Sequence, residues 1–485
     1  MITPEIIVVG VAVAVILLDL FVRNKGILAA LSIAGLLGAL AVSIAVWDSN
    51  DNVLFGGMLK VDELALSFNV LLCGAAILVI LASQDYVSKF SRFQGEYYAL
   101  LLLSVMGMMF MASSRDLIAI YISLETTSIS LYALTAFLRN RKSSEAGLKY
   151  LILGAIASCI LLFGMALTFG VTGETRLDEI LTTLAASGLD YTDNPAILLG
   201  IIFLIGGFAF KIASVPMQMW VPDVYEGAPT PVTAYLSVAS KAVGFVVILR
   251  VFFGAFGGDQ LEDWAMIFAV LSAISMTVGN IMAIQQTNIK RMLGYSSIAQ
   301  AGYLMVGLAA VTKVTDIDAG FDIANFGPTG IIYFMTAYAL ANLGVFFAVI
   351  AITNKVNSDK ISEFSGVGRR APLLSLALTL CLISLTGFPP AAGFLAKFYL
   401  FNSGVQQGLG WLVILGVLNS AISAYYYFRV VKVTWFGTPK SEERIPSGWA
   451  LRAALIITCL GVLALFFYPS PLLDVAQDVA RSVIP

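Results

Sequence analysis

Four ionisable side chains stand inside long apolar runs of the sequence: Glu125, Lys211, Lys241 and Lys397. Each costs about 2.5–3.5 kcal/mol at the centre of a membrane helix, so the four together cost on the order of 10 kcal/mol unless they are paired or hydrated. Groups that costly are not retained for packing alone, and amines and a carboxyl in oil are suited to proton transfer. At about 7 Å and an effective dielectric near 20, one charge changes another's energy by roughly 2.4 kcal/mol. Moving or neutralising Glu125 is therefore enough to release a proton from Lys211 to the next site. For this pair the alternative is a structural ion bridge that locks two helices. Lys241 and Lys397 have no acidic residue in their own runs, and with the other two they read as a row of protonatable groups across the membrane plane.

The elements that carry these residues must be helices that cross a bilayer. Of 485 residues, 59% are apolar and 12% charged, with a mean hydropathy of +0.90. Soluble domains hold roughly 45–50% apolar and about 25% charged residues, which excludes a soluble enzyme. A helix needs about 20 apolar residues to cross a roughly 30 Å core. The sequence offers fourteen such runs, from 4–22 to 449–468, with weak signals at the fourth (96–112) and tenth (289–311). The first lacks a basic leader and a small-residue cleavage site and is expected to be a mature helix. Glu125 falls in the fifth run (116–138), Lys211 in the seventh (196–221), Lys241 in the eighth (229–253) and Lys397 in the twelfth (372–402).

Composition removes other chemistries. The net charge is −2, without the basic face that nucleic acid demands. There is no histidine, which argues against haem on paired imidazoles, Cys/His zinc and a Ser-His-Asp triad. The four cysteines lie singly in separate apolar runs and are expected as buried small hydrophobes. Of 28 Lys and Arg, 19 fall on one set of alternate loops and 6 on the other, and Lys211, Lys241 and Lys397 lie inside runs. Because cytoplasmic loops retain basic residues, both termini are expected outside. Asp19 and Arg23 are expected to pair across one helical turn, Arg250 to snorkel outward, and Glu174–Asp193 to form a solvated loop.

Two runs should be broken. The seventh carries Pro216 shortly after Lys211, and the twelfth carries Pro389 and Pro390 before Lys397. Proline removes an N–H and clashes with the preceding turn, and irregular backbone at membrane depth must be enclosed by protein or line a wet cavity. The breaks lie five helices apart, and an odd repeat starts its second copy on the opposite side. The expected fold is therefore an all-α polytopic membrane protein of about 14 transmembrane helices, with inverted five-helix repeats over helices 4–8 and 9–13 and broken helices 7 and 12. The expected units are 1–95, 96–254 (first repeat), 255–437 (second repeat) and 438–485.

The run from Lys211 to Val232, KIASVPMQMWVPDVYEGAPTPV, closely resembles the signature of the antiporter-like membrane subunits of respiratory complex I, the NADH:quinone oxidoreductase. RMLGYSSIAQ (Arg291–Gln300) and GFPPAAGF (Gly387–Phe394) recur in the same group, and the resemblance covers essentially the whole chain. It implies a proton channel module without a redox group, in which Glu125, Lys211, Lys241 and Lys397 match the family's proton-transfer sites. That family often has histidine where Gln218 and Gln300 stand; water carried by glutamine replaces an imidazole relay here. The resemblance places quinone, NAD, FMN and iron–sulfur clusters in partner subunits. It implies other membrane-arm subunits and lipid as partners, and a bacterial or archaeal cytoplasmic membrane as the site. A cation/proton antiporter and a non-conducting scaffold are the alternatives.

Overall fold

Apolar helices in oil form because lipid offers no partner to backbone N–H and C=O groups, and the computed structural model of the chain is built almost wholly of them. It describes residues 2–47, 52–87, 93–187, 194–257, 261–310, 326–439, 441 and 443–483. Lys89, Arg92, Lys313 and Lys440 of the basic count, and 188–193 of the acidic stretch, lie outside the described residues.

The fourteen expected segments appear in order. Spans 1 to 6 are Thr3–Asp19, Gly26–Ala45, Glu63–Val87, Gln94–Ser113, Leu117–Thr135 and Arg141–Thr172. Span 7 is split into Pro195–Ile212 and Trp220–Gly227, and span 8 covers Thr230–Ala255. Spans 9 to 11 are Leu261–Ile284, Ile289–Ala309 and Gly327–Val356. Span 12 is split into Pro372–Thr386 and Ala392–Gln406, and spans 13 and 14 are Gly410–Phe436 and Trp449–Phe467. Among the described residues, 11 helices are long and apolar enough to cross a membrane unaided. Span 1, with 17 residues, span 10 and the 15-residue halves of span 12 are the remainder. The fourth segment, weak in sequence, is among the eleven, whereas the tenth carries its polar side chains buried inside the protein.

Burial grades from rim to centre. Span 8 is 100% buried and span 11 is 89% buried, whereas spans 2, 6, 13 and 14 are only 33–39% buried and turn Leu, Ile and Phe outward. The largely apolar exterior is suited to lipid, and the two most enclosed helices are those against which the lysines gather.

The duplication is legible in side-chain detail. In span 4, Gly107 lies against the backbone of Ser123 and Thr127; in span 9, Gly279 lies against Tyr295 and Ala299. At both glycines an added Cβ would fall within 3.1 Å of that backbone. Asp116 caps span 5 by accepting from the N–H groups of Ile118 and Ala119, and Asn288 caps span 10 by accepting from Lys290 and Arg291. Leu117 N–H donates to Thr175 and Leu177 N–H to Arg115; Ile289 N–H donates to Asp359 and Ile361 N–H to Thr287. In this register Ser297 stands where the first copy has Glu125.

Four peripheral expectations change. Arg250 does not snorkel: it is 7% exposed, its two terminal nitrogens bind Asp62 and its Nε donates to Ala112 O at 2.9 Å. A salt bridge to a buried carboxylate outweighs a reach toward water. Asp19 pairs with Lys25 at 2.7 Å rather than with Arg23, because the helix ends at Asp19 and the chain turns back. Leu177–Ser187 is a helix, not a loop; Leu177, Ile180 and Leu184 are buried beneath it. Of the cysteines, Cys73 and Cys381 are buried, Cys459 is half-buried and Cys159 is exposed.

Candidate functional site

Both broken helices satisfy their freed carbonyls inside the protein. In span 7 the first half closes at Ala213, which adopts φ 64°, and the Phe210 carbonyl accepts from Trp220 Nε1 at 3.0 Å. Val215 N–H donates to Ser275 Oγ of span 9 at 3.0 Å. In span 12 the first half closes at Gly387 (φ 90°). There the Leu385 carbonyl accepts from Gln300 Nε2 at 2.9 Å, and the Thr386 carbonyl accepts from Lys397 Nζ at 2.9 Å and Ser420 Oγ at 2.9 Å. Pro216, Phe388, Pro389 and Pro390 themselves lie exposed on the exterior, so the breaks are not fully enclosed by this chain. The prolines carry no N–H, which limits the unpaired donors such exposure creates.

Each charged residue singled out in sequence has a hydroxyl partner. Glu125, half-buried on span 5, accepts from Ser158 Oγ of span 6. Lys211 is 5% exposed and its Nζ donates to Ser128 Oγ at 3.1 Å, three residues beyond Glu125 on the same helix. No direct ion bridge joins Glu125 to Lys211. Between Ser158, the partner of Glu125, and Lys211 lies a small cavity of about 10 Å³, lined by Leu124, Ser128, Tyr132 and Gly207 among others, room for about one water. The Lys211 stem then packs on Gly244, one turn beyond Lys241: a Cβ at Gly244 would meet Lys211 Cγ at 3.5 Å.

Lys241 is 3% exposed and donates to both the carbonyl and the hydroxyl of Ser297, the latter at 2.7 Å. Its ammonium stands 5.2 Å from the Tyr338 ring centre, within the range of a cation–π attraction. Ser297 Oγ also meets Tyr338 OH at 3.1 Å and Tyr225 OH at 3.2 Å. Just before Lys241, Leu236–Ser240 forms a π-helical turn. Span 11 grips it: Tyr338 OH donates to Ser237 O at 3.1 Å and Asn342 Nδ2 to Ser237 Oγ at 2.5 Å. Such turns insert an extra residue into a helix and rotate the side chains beyond it to a new face.

Lys397 is 6% exposed, donates to Thr386 O and to Ser420 Oγ at 2.8 Å, and stands 4.3 Å from the Tyr303 ring centre. A second small cavity, of about 10 Å³, lies between Tyr338 and Lys397, with Gln300 and Ser384 in its wall. The order is thus Glu125, Ser158, first cavity, Ser128, Lys211, Lys241, Ser297, Tyr338, second cavity, Lys397. All four charged residues fall along this line, which Gln300 borders. Between Lys211 and Lys241 it is carried by the Lys211 stem packed on Gly244, and among the described residues neither a hydrogen bond nor either cavity joins the two ammonium groups. Gln218 Oε1 is buried without a hydrogen-bond partner, and no contact ties it to the corridor. The hydroxyls of Ser128, Ser158, Ser297, Tyr338 and Ser420 and the π-turn were not singled out in sequence.

The acidic residues of the Lys211–Val232 signature serve elsewhere. Asp223 binds Lys149 at 2.8 Å and Arg291 at 2.5 Å, and Glu226 reaches Arg291 at 3.3 Å and Lys142 at 3.7 Å. They pin the second half of span 7 to spans 6 and 10 on one face. Arg176 and the Asp62–Arg250 pair belong to the basic residues assigned to the opposite set of loops. Among the described residues, no group of three or more His, Cys, Asp or Glu could hold a metal.

The transmembrane family described as NADH:quinone oxidoreductase/Mrp antiporter matches residues 114–423, which span all four charged sites. The chain belongs to that family. It is 46% identical to NADH-quinone oxidoreductase subunit N of Dehalococcoides mccartyi over 99% of each chain. It is 42% identical to the subunit N of Desulforamulus reducens, over 100% of this chain and 98% of the relative. Among solved structures, a chain of respiratory complex I from Thermus thermophilus with bound aureothin superposes with a TM-score of 0.80 at 30% identity, covering 97% of this chain and 98% of that one. The family placement confirms the resemblance read from the three motifs.

Proposed function

We propose that this chain is the subunit N of a complex I-type NADH:quinone oxidoreductase, a membrane-arm module that moves protons along the corridor from Glu125 to Lys397 while quinone is reduced in other subunits. The carrying observation is this line of groups: half-buried Glu125 and buried Lys211, Lys241 and Lys397, each on a hydroxyl, with one small cavity at Ser158 and Lys211 and another at Tyr338 and Lys397, in a chain nearly half identical to a named subunit N. In this reading Glu125 biases Lys211, Lys211 passes its proton on past Gly244 to Lys241, and Lys397 stands nearest one exit. Moving one charge against 100 mV takes about 2.3 kcal/mol, so the drive comes from redox chemistry outside this chain, and catalysis by the chain alone is not expected. Flavin, iron–sulfur clusters, NAD and quinone belong to the partners.

The exposed breaks at Pro216 and Phe388–Pro390 fit this assembly, since irregular backbone left to lipid is unfavourable and a neighbouring membrane subunit would cover it. The basic residues gathered around Asp223 and Glu226 mark the cytoplasmic face of a multi-pass protein of a bacterial or archaeal membrane, with both termini outside. The test is purification of the tagged chain from its own membranes in mild detergent. Flavin and iron–sulfur clusters in stoichiometric amounts are expected. Sodium-driven proton exchange by the chain without them would replace this reading with that of a cation/proton antiporter.

A further inference from the structure

Glu5 lies in the first turn of span 1, outside residues 114–423 and outside the corridor, yet it is only 2% exposed. Among the described residues it has no cationic partner within ion-pair distance. Besides its own backbone N–H, its side chain meets span 3: Asn69, 1% exposed, donates from Nδ2 to Glu5 Oε1 at 3.1 Å. The two remaining oxygens, Glu5 Oε2 and Asn69 Oδ1, are both buried and have no hydrogen-bond partner.

Two orphaned oxygens on one hydrogen-bonded pair are informative because both are acceptors when the carboxyl is ionised. An ionised Glu5 would leave a full charge unpaired in an apolar setting and two acceptors unmet, and burying such groups unpaired is strongly unfavourable. A single proton on Oε2 removes the charge and supplies a donor, and an acid facing an amide can then close two hydrogen bonds in one ring. Cys73, one turn along span 3 from Asn69, is the titratable neighbour on that helix and brings no positive charge.

We propose that Glu5 is a proton-holding site: a neutral carboxylic acid whose Oε2–H donates to Asn69 Oδ1 while Asn69 Nδ2 donates to Oε1, storing a proton between spans 1 and 3. This stands independently of the corridor. It names a protonated group in the N-terminal segment that transfer along Glu125, Lys211, Lys241 and Lys397 does not use.

Infrared difference spectra of the intact complex at neutral pH test it, with Glu5→Gln subtracted from the unaltered protein. The expected result is a protonated-carboxyl C=O band that moves down in D2O and moves up in Asn69→Leu, where the ring is opened. Paired carboxylate stretches in place of that band would overturn the proposal, as would a C=O band indifferent to Asn69→Leu. Glutamine keeps an amide–amide ring and is expected to assemble. If it does not, the unaltered protein minus Asn69→Leu reads the same outcome, a shifted carboxyl band supporting the ring and a flat carbonyl region refuting it.

Discussion

Lys211 rests on Ser128 and not on Glu125, and that arrangement decides what the pair can do. A direct bridge would hold both charges in place, whereas a carboxylate one cavity away changes the lysine's proton affinity without trapping the proton. The same economy of contacts governs Lys397, whose stem lies against Gly387. A Cβ there would stand 2.8 Å from Lys397 Cδ, and the φ of 90° is one that side chains rarely adopt. Gly387→Ala is expected to destabilise the break by about 1–3 kcal/mol and to slow proton transfer with little effect on the amount of complex assembled, as read by detergent melting and pumping assays. Gln300→Leu strips the Leu385 carbonyl of its donor and is expected to cost about 1–3 kcal/mol, measured the same way. The charged residues were legible in sequence because ionised groups in apolar runs have no cheap explanation. Their hydroxyl partners were not, because serines are scattered through these helices and only packing tells Ser128 and Ser297 from the rest.

Helices impose their own logic. Prolines announced the breaks in spans 7 and 12, since proline acts on the local backbone. Nothing comparable announces the π-turn at Leu236–Ser240, which is held by Tyr338 and Asn342 about a hundred residues away. The Asp62–Arg250 bridge is hidden in sequence for the same reason: its partners are 188 residues apart. Burial pushes the Asp62 carboxyl up, but the Arg250 guanidinium and the Ala65 N–H more than offset this and hold it below its ordinary value. With a lowered folded value, its contribution is full above about pH 4, the unfolded carboxyl value, and is lost as pH falls through the folded one. Asp62→Asn is expected to cost about 3–5 kcal/mol, because Arg250 stays buried without its counter-charge. Thermal melts should show that loss at neutral pH and a smaller difference in acid. Replacing Asp62 by Leu and Arg250 by Met together should recover most of it.

At the scale of the molecule, we propose that the chain divides into 1–95, a first repeat over 96–254, a second over 255–437 and a closing segment over 438–485. The matched pairs Gly107 and Gly279, and Asp116 and Asn288, carry the inversion that sequence spacing alone suggested. The proposed orientation, with both termini outside, predicts that an epitope tag after the last residue is reached by antibody in spheroplasts without permeabilisation; a tag reached only after lysis would reverse the orientation. The two copies differ at this register: the first keeps a carboxylate at Glu125, while the second has Ser297, which holds Lys241 by its hydroxyl. The central claim is that protons pass through this corridor under redox drive. It is tested most directly by measuring the rate of proton movement, with electron flow followed separately, in vesicles that carry the complex with Lys211→Met or Glu125→Gln. Removing a positioned proton-transfer group typically costs about 10²–10⁴ in rate. Proton movement should fall by about 10²-fold or more, whether electron flow slows with it or runs on uncoupled. Unchanged rates of proton movement in both variants would contradict the account.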